Sequence, residues 1–225
     1  MAKVFIGVGH GGNDPGASKY LVEKDINLVM ALACRDYLEK NGVQVLMSRT
    51  KDENDPLSEE IVECNAFNPD LAIDIHNNSG GGDGFEAYYH YKGGSSKALA
   101  LNIEDEIKAI GQNSRGCKTR LNDNGTDYYG FIRQTRSPAV IVEGCFVDNQ
   151  EDVKIANTAA KQREFGYAYA RGILTTLGIK PAEESALVPD KLYRVQIGAY
   201  SIKENAEAQL KKAKEAGFKD AYIAC

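Results

Sequence analysis

Val4-Phe5-Ile6-Gly7-Val8, running into Gly9-His10-Gly11-Gly12 and then Asn13-Asp14-Pro15-Gly16, is the stretch on which the fold turns. A short apolar run that stops at a glycine-rich turn reads as a buried strand delivering its end to a loop. The apolar residues then change period. From Ile26 they recur at Val29, Met30, Ala33, Tyr37 and Leu38, a helical stripe that closes at Asn41-Gly42. Strand, turn and helix together form the opening unit of an α/β layering.

The alternation continues outward from this unit. Val43 to Met47 and Leu71 to Ile75 read as strands, the second running into His76-Asn77-Asn78. Gly84 to Tyr91 reads as a longer strand and Ala98 to Ile110 as a helix. Ala139 to Val142 is a buried strand ending at Glu143-Gly144, and residues 150 to 177 read as helix up to Gly178. The α/β domain is thus expected over 1–179. Residues 180–190, with Pro181 and Pro189 and little periodicity, read as a linker. A small α+β unit follows at 191–225. Tyr193, Val195, Ile197 and Ala199 alternate as a strand, Ser201 to Ala216 forms a helix closed by Gly217, and Ala221 to Ile223 suits a second strand.

The 225 residues suffice for one sizeable core plus that appendage. Hydrophobic residues make up 43% and charged residues 26%, ordinary for a globular chain. A net charge of −5 argues against nucleic acid as a partner, because phosphates call for a basic face. No apolar run approaches the ~20 residues that cross a bilayer, so no membrane is expected as partner. Met1-Ala2-Lys3 leads straight into the first strand without a signal-like apolar region. The expectation is synthesis in the cytoplasm, with any work outside requiring a separate exit. Five cysteines, irregularly spaced and without C-x-x-C, fit neither a disulfide framework nor a thiolate metal knuckle, and are expected to be reduced.

Open α/β sheets gather their sites where strand ends meet loops. His10, His76 and Glu143 each follow a strand, and the first two are among only three histidines. Neutral imidazole suits zinc, although a lone loop histidine more often only hydrogen-bonds. Glu23 opens the first helix three residues before Ile26 and seven before Met30, which puts it on the inward stripe. A first-turn glutamate is commonly an exposed partner of the helix dipole. On the buried side its charge needs a cation or hydrogen bonds, and two histidines with one glutamate form a known catalytic zinc set. Gly7 to Gly12 also fits G-x-G-x-x-G, but the turn at Asn13-Asp14-Pro15-Gly16 delays the helix that should receive a phosphate. Met47-Ser48-Arg49 likewise lacks a ribose-binding acid, so nucleotide binding is rejected. His90, in Tyr88-Tyr89-His90-Tyr91, reads as a surface or groove residue rather than a ligand.

Four segments carry a resemblance: Gly9 to Ala17; Glu23-Lys24-Asp25 with Asn27-Leu28; Ile75-His76-Asn77-Asn78; and Val142 to Asn149. In this order they resemble the zinc-dependent N-acetylmuramoyl-L-alanine amidases, including the phage and prophage endolysins, over residues 1–178. The resemblance implies a twisted, mostly parallel (mixed) sheet flanked by helices on both faces. It implies one zinc ion held by His10, Glu23 and His76, with Glu143 catalytic and Asn78 and Arg49 near the substrate. The substrate implied is the amide between N-acetylmuramic acid and L-alanine of bacterial peptidoglycan. Bound zinc lowers the pKa of water towards ~7, and Glu143 would carry the proton to the departing nitrogen. Read without the resemblance, Glu143 would more often be a structural carboxylate paired with Arg133 or Arg136. Two departures from the family pattern are the absence of an arginine in Ile61-Val62-Glu63-Cys64 before Asn65-Ala66, and the presence of Cys145.

Tyr193 to Ser201 with the following helix resembles the first half of a SPOR domain, which binds peptidoglycan glycan strands. Half of such a fold leaves a sheet edge open, and self-association through this unit is one expectation. Such an enzyme would act on the cell wall after release, by holin-type export or by lysis. Two other readings stand beside it, a zinc peptidase acting on stem or cross-bridge peptides and a non-catalytic wall-binding protein.

Overall fold

The computed structural model describes residues 1–181, 198–218 and 222–223. The chain divides into two compact units, Met1–Ala182 and Glu183–Cys225. Most of the linker expected over 180–190 and of the strand expected from Tyr193 lies outside the described residues; of the strand expected over 221–223, Tyr222 and Ile223 are described and form no strand. Of the second unit, the described part is helix α7 (Lys203–Glu215), followed by Gly217 at φ +101°.

The first unit is built on six strands: β1 (Lys3–Val8), β2 (Gln44–Met47), β3 (Leu71–Asn78), β4 (Phe85–Tyr89), β5 (Ser114–Lys118) and β6 (Ala139–Phe146). Their order is β2-β1-β3-β6-β4-β5. β2, β1, β3 and β6 run parallel, β4 runs antiparallel to β6, and β5 runs parallel to β4. The sheet is mixed, as expected. The inner parallel strands are covered on both sides, which is why β1 reads as an unbroken apolar run rather than an alternation.

Helices α1 (Glu23–Lys40), α3 (Ser95–Ala109) and α6 (Ala159–Leu177) cover one face. That face is apolar: Val4, Ile6 and Val8 of β1, Ile73 and Ile75 of β3, and Val140 and Val142 of β6 cluster with Ile26, Met30, Leu99, Phe165 and Ile173. α6 lies close on its neighbours because two of its residues lack side chains. A Cβ on Gly166 would come within 2.2 Å of the Met30 carbonyl oxygen, and one on Gly172 within 2.7 Å of Ile103 Cα. Helices α2 (Leu57–Phe67) and α4 (Gly130–Gln134) lie on the other face over a smaller cluster of Phe5, Ala72, Ile141, Ile61 and Phe131.

Several boundaries differ from the sequence reading. Residues 150–177 form two helices, α5 (Gln150–Ala156) and α6, because the Thr158 hydroxyl accepts from the Lys161 amide at 3.3 Å and caps a new start. α2, α4 and β5 carry too little apolar periodicity to be seen. β5 is a short polar edge strand, Ser-Arg-Gly-Cys-Lys, a composition that protects an exposed edge. His76 and Glu143 stand inside β3 and β6 rather than after them. The described cysteines (Cys34, Cys64, Cys117 and Cys145) are free. None of the described helices is long and apolar enough to cross a membrane.

Candidate metal centre and catalytic groove

The glycine-rich turn after β1 brings three side chains to one point. His10, Glu23 and His76 each present a ligand atom, all within 4.8 Å of one another. His10 Nε2 lies 3.2 Å from Glu23 Oε2 and His76 Nδ1 lies 3.1 Å from Glu23 Oε1. The glycines allow this closeness. A Cβ on Gly9 would stand 2.3 Å from the His76 ring, and one on Gly16 2.6 Å from both Glu23 Oε2 and the His10 ring. His10 itself takes a left-handed backbone, φ +64°, a costly conformation for a residue other than glycine. The G-x-G-x-x-G pattern thus serves a side-chain cluster and not a phosphate.

Each ligand candidate is held from behind. His10 Nδ1 lies 2.8 Å from Asp14 Oδ2, and His76 Nε2 lies 3.3 Å from Asp74 Oδ2, leaving the opposite nitrogens facing the centre. Glu23 accepts from the Ala17 amide at 2.8 Å and the Asn77 amide at 3.1 Å. Carboxylates behind imidazoles fix ring orientation and are the usual support of metal-binding histidines. Burial alone would raise the Glu23 carboxyl, but bonds from both histidines hold it well below the usual carboxylate range. Burial pulls His76 down, and Asp74 and Glu23 overcome it and hold its pKa well above the ordinary value. His10 is raised chiefly by its bond to Glu23. Anionic oxygens outnumbering the cations around these rings favour a metal ion at the centre. The N,N,O donor set is one that zinc accepts.

Along the sheet, Glu143 stands directly across from His76, and Glu86 across from Glu143. Glu143 is half-buried, and burial pushes its carboxyl up to about 7, with His76 opposing. Neither Arg133 nor Arg136 pairs with it among the described residues; the Arg133 guanidinium binds the carbonyls of Asp127 and Tyr128. Buried Glu60 of α2 and buried Asp74 of β3 converge over Gly7 on the same face, and Glu60 Oε1 and Asp74 Oδ1 have no hydrogen-bond partner among the described residues. A cavity of about 210 Å³ opens beside His10 and is lined by Asp14, Asn54, Asp55 and Pro56.

Arg49 is a correction. It is 2% exposed, and its guanidinium donates to the carbonyls of Val8, Gly9, Lys24 and Lys51 at 2.8–3.3 Å. It ties the loop after β2 to the turn carrying His10, and no face is left for substrate. Asn78, at the end of β3, places its side-chain amide 3.4 Å from Glu86. His90 is at the far end of the sheet, paired with Asp127 at 3.2 Å. Sequence reasoning missed Asp14, Asp74, Glu60 and Glu86. Asp74 had a signal, since it lies two residues before His76 and therefore on the same face of the strand. Glu86, an acid in the apolar run Phe85-Glu86-Ala87, had another.

Known proteins resemble this chain in sequence and in fold. Residues 4–175 match the family described as N-acetylmuramoyl-L-alanine amidase, and residues 189–224 match the SPOR domain. The sporulation-specific N-acetylmuramoyl-L-alanine amidase of Bacillus subtilis (strain 168) is 35% identical over 223 residues, 97% of this chain and 83% of that protein. Cwp6 from Clostridium difficile superposes with a TM-score of 0.77 at 38% identity, over 78% of this chain and 29% of that one. The catalytic domain of CwlV, an N-acetylmuramoyl-L-alanine amidase from Bacillus (Paenibacillus) polymyxa var. colistinus, gives 0.71 at 29% identity, over 80% of this chain and all of that one. The chain belongs to the N-acetylmuramoyl-L-alanine amidase family.

Proposed function

We propose that the chain hydrolyses the amide between N-acetylmuramic acid and L-alanine in bacterial peptidoglycan, using one zinc ion. The observation that carries the metal is the convergence of His10, Glu23 and His76, each supported by its own backing carboxylate or amide. Bound there, zinc would act as a Lewis acid on the scissile carbonyl and acidify a water. The chain's own residues do the rest. Asp14 and Asp74 keep the ring nitrogens turned to the centre. Glu143, one strand away from His76, takes a proton from the attacking water and returns it to the leaving amine. Its half-buried setting suits both steps, because a carboxyl held near neutrality can give a proton as readily as accept one. Asn78 borders the same groove and is proposed to contact substrate.

The match of residues 189–224 to the SPOR domain supports a tail that binds the glycan strands of the wall. The catalytic unit is proposed as 1–179, joined to that tail by 180–190. Nothing among the described residues supports pairing between copies. Release of the enzyme by lysis fits a relative named for sporulation as well as one named an endolysin.

The test is digestion of purified cell wall by the full chain, with and without a chelator. An amidase frees new L-alanine amino termini and loses activity on chelation, with recovery on adding zinc. New amino termini from other residues would favour a zinc peptidase, and wall binding without any product a non-catalytic binder.

A further inference from the structure

Glu86 is 4% exposed, yet its carboxylate is faced by two cations from the edge strand β5, Arg115 through Nε and Lys118 Nζ at 2.6 Å. Tyr88 also donates its hydroxyl at 3.2 Å. Among the described residues Glu86 is the only carboxylate in direct contact with either cation, and Asp83 acts on Arg115 only from farther off. Both cations reach solvent, the Arg115 side chain at 45% exposure and Lys118 at 36%. Arg115 is spent on Glu86 only through Nε. No described residue accepts from its two Nη groups, and Arg115 Cζ lies 5.5 Å from the centroid of the Phe146 ring.

This placement is built. β4 and β5 pair at Phe85↔Ser114 and at Ala87↔Cys117, so Arg115 and Gly116 together oppose the single residue Glu86. Gly116 takes φ +90° to make this bulge, and its amide donates to the Ser114 hydroxyl at 2.9 Å. A bulge of this kind turns a side chain away from its regular direction, here onto Glu86 of β4.

Resting on the amidase reading above, the geometry points to an anion subsite formed by Arg115 and Lys118 that takes a carboxylate of the substrate's stem peptide. Two strand spacings, about 10 Å, separate His76 from Glu86. Two extended residues leaving the scissile bond span about 7 Å, and an arginine fork supplies the remaining reach. The residue at that distance is the one after L-alanine, an isoglutamyl unit whose α-carboxyl is free in some walls and amidated in others. The subsite selects the free carboxylate, since an amide offers the fork neither charge nor a second acceptor.

The experiment compares kcat/KM of the full, metal-loaded chain on two soluble muropeptides alike except for D-glutamate or its α-amide, D-isoglutamine, at the second position. The wild type is expected to prefer the acid by 10-fold or more. R115Q should shrink that ratio by at least 10-fold, and R115K, which keeps charge without the fork, should restore part of it. Equal rates on the two substrates in the wild type overturn the subsite. So does an R115Q variant that loses the same factor on both, which would make Arg115 merely structural. Cleavage of neither substrate by the wild type overturns the amidase reading, and the subsite with it.

Discussion

The two faces of the sheet are made by the same strands and behave in opposite ways. On the face covered by α1, α3 and α6, each strand contributes apolar residues: Ile73 and Ile75 from β3, Val140 and Val142 from β6. One residue along, on the face toward α2 and α4, the same strands contribute Asp74 and His76, then Glu143, with Glu86 beside it on β4. Strand alternation thus separates stability from chemistry by a single step of the pleat. A register slip of one residue would exchange the two, which ties the integrity of the site to the packing behind it.

Four substitutions test how complete this separation is, in falling order of effect. Glu143→Gln should lower kcat by 10²–10⁴-fold, the range of general acid–base catalysis, with zinc content and melting temperature unchanged. Loss of metal or fold in that variant would show that the polar face also carries stability. Ile73→Ala, on the opposite face, should destabilise by about 2–5 kcal/mol in denaturant unfolding while the folded fraction keeps its kcat. Asp74→Asn should weaken zinc binding and activity by about 10–100-fold, as supporting partners of metal ligands do, measured by competition with a chelating dye. Glu60→Gln should do the reverse of Ile73→Ala and raise stability by about 1 kcal/mol, because it removes the cost of a titrating carboxyl buried beside Asp74 and Asp55.

That last variant also has a pH signature. Burial, with Asp74 and Asp55 nearby, raises Glu60 well above its ordinary 4.5. Between the unfolded and the folded value the native state binds more protons, so this group makes stability fall as pH rises through that window. In Glu60→Gln that part of the slope should vanish. An unchanged slope would mean that another group of the cluster carries the effect.

Much of this was legible in the sequence. The helical stripe from Ile26 placed Glu23 inward, and it is 4% exposed. The turn after β1 marked His10, and the apolar run Leu71 to Ile75 marked His76 at its end. What could not be read was set by pairing rather than by pattern. β5 has no apolar alternation, because an edge strand buries little, so the opposition of Arg115 and Glu86 exists only once β4 and β5 are paired. Arg49 misled because an arginine near a site suggests a ligand contact, whereas it is buried and four backbone carbonyls take four of its five N–H donors. Helix α2 hid behind a stripe of only Ile61 and Cys64.

The left-handed backbone at His10 bears on how the site persists over generations. Asparagine and glycine adopt that conformation with less strain than histidine does. Replacement of His10 by either would relax the turn while removing a ligand candidate, so thermodynamic drift runs against the metal centre. Only continued demand for hydrolysis keeps histidine there, and a copy of this gene freed from that demand should lose position 10 early while its product still folds.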